Sequence, residues 1–325
     1  MASQNQLSRY GAISRLVPEL APSAKVFLVG DSDDTSASAA ILGSIYPADE
    51  DGVVRVYSTI QAAVNACTAN RGDVVLVMPG YNQSLSRADS WNVAGAQIIG
   101  LGSGSSRPTI TYDDTAATVT LGANGIRVSN LRFLASASRT TRALDMDTFV
   151  GQRVDNCVFT FDATGDDFVT SIRLGASESI VEDNQILMED TAGPRQGIAI
   201  LGGNPDFSTI RGNYLVGHFD TVADTSNSHG AISQDTSDTS DTNLTGLLIK
   251  DNTILSLDTA AGQLIRFSAG FTNKAMVVGN RMASWDSATA DTALITVDAA
   301  LFVDNKIKRN DTTEKLVADS FVAAA

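Results

Sequence analysis

Through most of the chain, apolar residues come in short β-branched runs separated by Gly, Asn, Asp, Ser and Thr. Runs of this kind predict strands joined by turns, and no stretch carries an apolar stripe through four helical turns. A short phrase recurs. Ser129-Asn130 lies in GIRVSNLRF, Asp155-Asn156 in RVDNCVF, Asp183-Asn184 in IVEDNQIL and Gly212-Asn213 in TIRGNYLV. Asp251-Asn252 lies in LIKDNTIL, Gly279-Asn280 in VVGNRMA and Asp304-Asn305 in FVDNKIK. The spacings between these Asn residues are 26, 28, 29, 39, 28 and 25.

A unit of that length cannot bury its own apolar face, whereas copies stacked in register can. Two residues after each Asn stand Arg132, Val158, Ile186, Leu215, Ile254, Met282 and Ile307, and all but the first suit an inward column. An Asn at the same corner of every coil can donate to one neighbouring coil and accept from the other. That satisfies polar groups whose burial unpaired costs roughly 1–3 kcal/mol each. Asn and Gly also tolerate the left-handed backbone of a tight corner. The Leu-x-x-Leu-x-Leu frame of leucine-rich repeats is missing. The prediction is an all-β parallel β-helix of about seven to nine coils, its ladder formed by Asn130, Asn156, Asn184, Asn213, Asn252, Asn280 and Asn305.

Ahead of the repeat, Ser58-Thr59-Ile60-Gln61 reads as a capping box, and Ile60, Ala63, Val64 and Cys67 share one helical face. Arg71-Gly72-Asp73, the strand VVLVM and the Pro79-Gly80 turn follow. This block, TIQAAVNAC to GDVVLVMPGYNQ, resembles the opening of pectate-lyase-like right-handed β-helices, and IIGLGSGSSRPTITYDD resembles their second coil. The resemblance implies a right-handed solenoid whose N-terminal end is plugged by the helix. It says little about function, because such folds host lyases, esterases, hydrolases and inert virion proteins.

Charge removes one class of partner. Lys and Arg number 23 against 37 Asp and Glu, a formal charge of -14, which repels phosphate backbones and disfavours nucleic acid. Of the acids, 31 are Asp and six are Glu, an excess that suits turns. Met1 to Pro22 holds no apolar core of a secretory signal, and no run approaches a membrane span, so synthesis in the cytosol without membrane insertion is expected. Cys67 and Cys157 cannot build a disulfide framework and read as small buried thiols. No cofactor or zinc spacing is present.

Catalytic signals are sparse. Pectin-methylesterase motifs, a Gly-x-Ser-x-Gly elbow, a phosphate loop and HExxH are all missing from the sequence. Asp145 with Asp147, Asp166 with Asp167, and Glu178 with Glu182 are candidate acid pairs by position, with a solvated face as the plainer reading. The long interval, Asp220 to Gly246, reads as a polar loop bulging from one coil; it holds His229, and His218 lies just before it. Within or beside it, Asp220, Asp224 and His218 are the candidates for glycan cleavage, and Asp235, Asp238 and Asp241 for a calcium site.

The expected division is a docking segment over 1–52, the β-helix over 53–308 with an insertion at 220–246, and a cap over 309–325. AKVFLVGDSDD to YPADEDGVVRVYSTIQAAV resembles the opening of bacteriophage virion β-helix proteins, whose leading residues serve for attachment. That resemblance implies a head decoration or head-fibre protein without enzymatic activity, docked on the major capsid protein or another virion protein through Arg9, Tyr10, Arg15 and Leu16, and assembled as a homotrimer. The alternative is a tailspike-like protein that binds or cleaves a host surface glycan.

Overall fold

The computed structural model describes residues 24–30, 55–146, 148–163, 165–188, 196–201, 205–219, 230–235, 243–257, 264–267, 272–285, 295–296, 301–309 and 315–316. Among them the docking candidates Arg9, Tyr10, Arg15 and Leu16 do not appear. The strands form three parallel sheets of 11, 10 and 8 members, here sheets A, B and C. Each coil passes from A to B to C before returning to A, giving a right-handed parallel β-helix. Among the described residues sheet A has 11 strands, two of them ahead of the coil, and sheet B has 10, one of them after it, so both leave nine turns there.

Register is kept from coil to coil. In sheet A, Val128, Val154, Val181, Ile210, Ile249 and Val277 stack as one inward column. In sheet B, Ile110, Phe133, Phe159, Ile186, Leu215, Ile254, Met282 and Ile307 form another. Phe133 and Phe159 stack with ring centroids 4.8 Å apart. Each such side chain contributes about 1.5–3 kcal/mol by leaving water.

The N-terminal end is closed by the helix Ile60–Ala66, which buries Ile60, Ala63 and Val64 in the common core. Its N-cap is Thr59, whose hydroxyl accepts from Ala62 N at 3.2 Å, rather than Ser58. Gln61 belongs to no capping box, because it reaches across to accept from Ser90 N. The free amide of Ile60 donates instead to Gln83 Oε1. Asp73, fully buried, ties three pieces together by accepting from Lys25 N, Thr68 N and the Arg71 fork. At the other end, Lys315–Leu316 pairs antiparallel with Lys306–Arg309, covering part of an open edge.

The corner between sheets A and B turns on a left-handed residue in seven coils: Asn130, Asn156, Asp183, Gly212, Asp251, Gly279 and Asp304. The residue after it points inward, and there the ladder stands. Asn213 Oδ1 accepts from N and Nδ2 of Asn184, both at 3.0 Å, while its own Nδ2 donates to Val181 O. The pattern continues through Asn252, Asn280 and Asn305. The ladder therefore has five rungs: Asn184, Asn213, Asn252, Asn280 and Asn305. Asn130 and Asn156 sit one position earlier, at the left-handed corner, with Leu131 and Cys157 in the inward place. They share one side-chain hydrogen bond of 3.2 Å outside the core. This shift accounts for Arg132, which lies in register with Val158 and Gln185 on the outward side.

A second polar corner leads into sheet A. Asn70, Gly95, Gly125, Gly151, Glu178, Phe207 and Gly246 are all left-handed there. From Asn70 to Phe207, each amide donates to the carbonyl just before the corresponding residue of the next coil. Ser208 Oγ accepts from Ser179 N, and Ser179 Oγ from Gln152 N.

Two measurements follow from these contacts. Asn213→Ala strands the amides of Asn184 and the carbonyl of Val181 and should cost about 2–4 kcal/mol, whereas Asn156→Ala, which loses one exposed side-chain bond, should cost about 1 kcal/mol, in urea unfolding. Burial alone would raise the Asp73 carboxyl, but the Arg71 fork and the two amides outweigh it and hold the group below the ordinary range. A depressed carboxyl contributes stability above its unfolded value near 4 that is lost as pH falls through the folded one. Asp73→Asn should thus flatten the acid limb of the stability curve; an unchanged limb would assign it to other carboxylates.

Candidate functional site

Sheet C departs from simple alternation. In each of several coils two consecutive residues face the core: Ala143 and Leu144, Ala231 and Ile232, Leu264 and Ile265. Ser171 is fully buried beside Ile172, and a Cβ on Gly197 would meet Leu215 Cδ2 and Ala231 O at 2.6 Å. Two inward residues in succession bend the strand, so the residues on either side face each other across an outer crease. Small side chains at the bend let it form.

The crease is polar. Arg173 donates to both oxygens of Asp145 at 2.7 Å, and Arg142 approaches the same carboxylate at 3.5 Å. Further along the axis, on successive coils, Thr170 Oγ donates to Gln196 Oε1 at 3.1 Å and Gln196 Nε2 donates to Ser233 Oγ at 3.0 Å. These three residues are buried, while the side chains of Arg142 and Arg173 remain 30% and 16% exposed. The result is an axial line of fixed donors and acceptors.

The outward face of sheet A is built from ion pairs across coils. Asp155 accepts both arms of Arg127 and the Ser129 hydroxyl, and Arg153 lies 3.3 Å from it. Arg153 also pairs with Glu182, which Arg211 holds from the far side at 2.5 Å. The solvated-face expectation is thus corrected for Asp145 and Glu182: both are buried and held by arginines. Glu182 does not act with Glu178, which is exposed at the left-handed corner. Asp167 is buried and Asp166 half-buried, with a backbone bridge to Ser138. Asp147 lies outside the described residues.

The reading of 220–246 as one bulging loop is also corrected. Gly230–Asp235 is a sheet C strand, paired with Gln196–Leu201 and Ile265–Arg266. Its Ala231 and Ile232 are needed by the core, so the insertion is divided around a coil strand. Asp220, Asp224, His229, Asp238 and Asp241 lie outside the described residues. Asp235 ends the strand, and His218 is half-buried just after Tyr214–Gly217. Among the described residues no three His, Cys, Asp or Glu side chains are placed to hold a metal ion. Burial pushes the thiols of Cys67 and Cys157 up to about 12, so both are protonated at neutral pH.

No protein-family model matches the chain, and no curated protein does. Among solved structures it is similar to the tailspike protein of E. coli bacteriophage HK620. A mutant of that protein in complex with a hexasaccharide aligns with a TM-score of 0.47 at 14% identity, over 75% of this chain and 50% of that one. A double mutant in complex with a pentasaccharide gives 0.46 at 12%, over 93% and 64%. The tailspike without substitution, in complex with a pentasaccharide, gives 0.44 at 13%, over 77% and 53%. The chain thus spans between half and two thirds of the tailspike chains' length.

The crease makes its own prediction. Arg173→Ala leaves the buried Asp145 with only the longer contact to Arg142, and should cost about 3–5 kcal/mol in chemical denaturation. Replacing both Arg173 and Asp145 by apolar residues of similar size should recover most of that loss.

Proposed function

We propose that this chain is a surface component of a tailed-phage particle that holds a host glycan along the sheet C crease without cleaving it. The observation that carries the binding reading is the Arg142–Asp145–Arg173 cluster, continued along the axis by Thr170, Gln196 and Ser233 on successive coils. Fixed hydroxyl, amide and guanidinium groups suit a polyhydroxyl ligand, and a scaffold that does not rearrange lowers the entropic cost of binding. Glycoside hydrolysis needs an acid and a partner carboxylate, about 5–10 Å apart and free to exchange a proton or attack. Asp145 is held by two guanidiniums and serves as their anchor. The particle assignment rests on the resemblance of residues 24–64 to the opening of virion β-helix proteins. Under it, residues 1–52 are the attachment segment, with a capsid or tail protein as partner, and the coils associate as a trimer.

Three experiments test this. Equilibrium binding to polysaccharide from the host surface should weaken about 3–10-fold in Arg142→Ala, the value of one or two hydrogen bonds, while thermal stability stays near that of the parent. Undiminished binding would move the site off the crease. Incubation with the same polysaccharide should release no reducing ends; release that disappears in Asp220→Asn or Asp224→Asn would replace the binding reading with a cleaving one. Deleting residues 2–22 should abolish attachment to particles and leave the coil folded, and a truncated chain that still attaches would overturn the docking role.

A further inference from the structure

A second site stands at the corner between sheets A and B, away from the crease. Arg107 and Arg132 come from adjacent coils, since Arg132 pairs in register with Thr109. Their side chains run past each other in opposite directions. Arg107 Nη1 reaches forward to Asn156 O at 3.1 Å, and Arg132 Nη2 reaches back to Gly104 O at 3.0 Å. Both residues are half-buried, and Arg132 Nε is buried with no hydrogen-bond partner.

Arg71, Arg127, Arg142, Arg153, Arg173 and Arg211 each sit against a carboxylate. Among the described residues no carboxylate pairs with Arg107 or Arg132. The nearby acid, Asp155, is occupied by Arg127, Ser129 and Arg153. The other group beside Arg107 that could carry negative charge is Cys157, and burial keeps it a neutral thiol. Burial, then the charge of Arg132, both act against the charged form of Arg107. Two like charges are thus held together, partly out of water, in a chain whose formal charge is -14.

We propose that Arg107 and Arg132 form an oxyanion-binding site, taking a carboxylate, sulfate or phosphate group against the N–H edges of their guanidiniums. A guanidinium offers planar paired donors, and such charge-assisted bonds are the strongest in a protein. The backbone carbonyls already fix one arm of each, so the outer N–H groups of the two guanidiniums are held ready. The left-handed corner residues Asn130 and Asn156 keep the backbone tight at this point.

The test uses the full chain at constant ionic strength, with chloride as the balancing ion. Sulfate, phosphate and glucuronate are titrated separately by calorimetry. At least one should bind saturably at a single site, and the preferred ion tells a tetrahedral oxyanion from a uronate. Arg107→Gln, which removes the guanidinium, should weaken binding about tenfold or more, as should Arg132→Gln. Without oxyanion, Arg107→Gln should unfold no earlier than the parent, because a like-charge contact has been removed. Saturable binding by none of the three, or equal binding in both variants, would overturn the proposal. Arg142→Ala should leave the oxyanion isotherm unchanged, which separates this site from the glycan crease.

Discussion

Every coil of this solenoid must turn its corners inside the stack, where backbone and side-chain polar groups have no water. The corner into sheet B meets that demand with one residue in the left-handed region followed by one that points inward. From Asn184 to Asn305 the inward residue is an Asn, and from Asn213 onward its carbonyl oxygen takes two hydrogen bonds from the coil before it. Each rung satisfies its neighbour, so register cannot slip by a residue without stranding several buried groups at about 1–3 kcal/mol each. The apolar columns of sheets A and B are aligned by the same constraint.

A fixed register has a chemical consequence on the outside. Residues one coil apart come to lie beside each other, so Arg127 meets Asp155 and Arg173 meets Asp145 across 28 positions of sequence. The acidic excess is therefore partly absorbed by cross-coil pairs, and the arginines left without a carboxylate at the A–B corner stand out against it. Where sheet C bends, the outward residues face each other rather than solvent. The crease and the Arg107–Arg132 corner are both products of the stack, and neither exists within a single coil.

Much of the solenoid can be read directly from the chain. The Asn phrase, its period and the capping helix are visible because they answer local demands: a left-handed corner accepts few residue types, and a short helix needs an apolar face. Even the slip in the first two phrases left a trace. Arg132 broke the apolar column because Asn130 occupies the corner itself, one place ahead of the ladder. The second corner was harder to see. Gly95, Gly125, Gly151 and Gly246 mark it, but Glu178 and Phe207 interrupt the series. The strand Gly230–Asp235 was hidden inside a polar interval, since only Ala231 and Ile232 face the core.

By itself, then, the sequence determined the repeat, the class of fold and the residue types at one corner, because those depend on backbone conformation and on alternation within one unit. Tertiary structure decided which carboxylates are free and which are held, where a crease opens, and which two arginines share a corner. Those depend on what the next coil brings alongside, and a partner roughly one period away becomes a neighbour only once the coils have closed on one another.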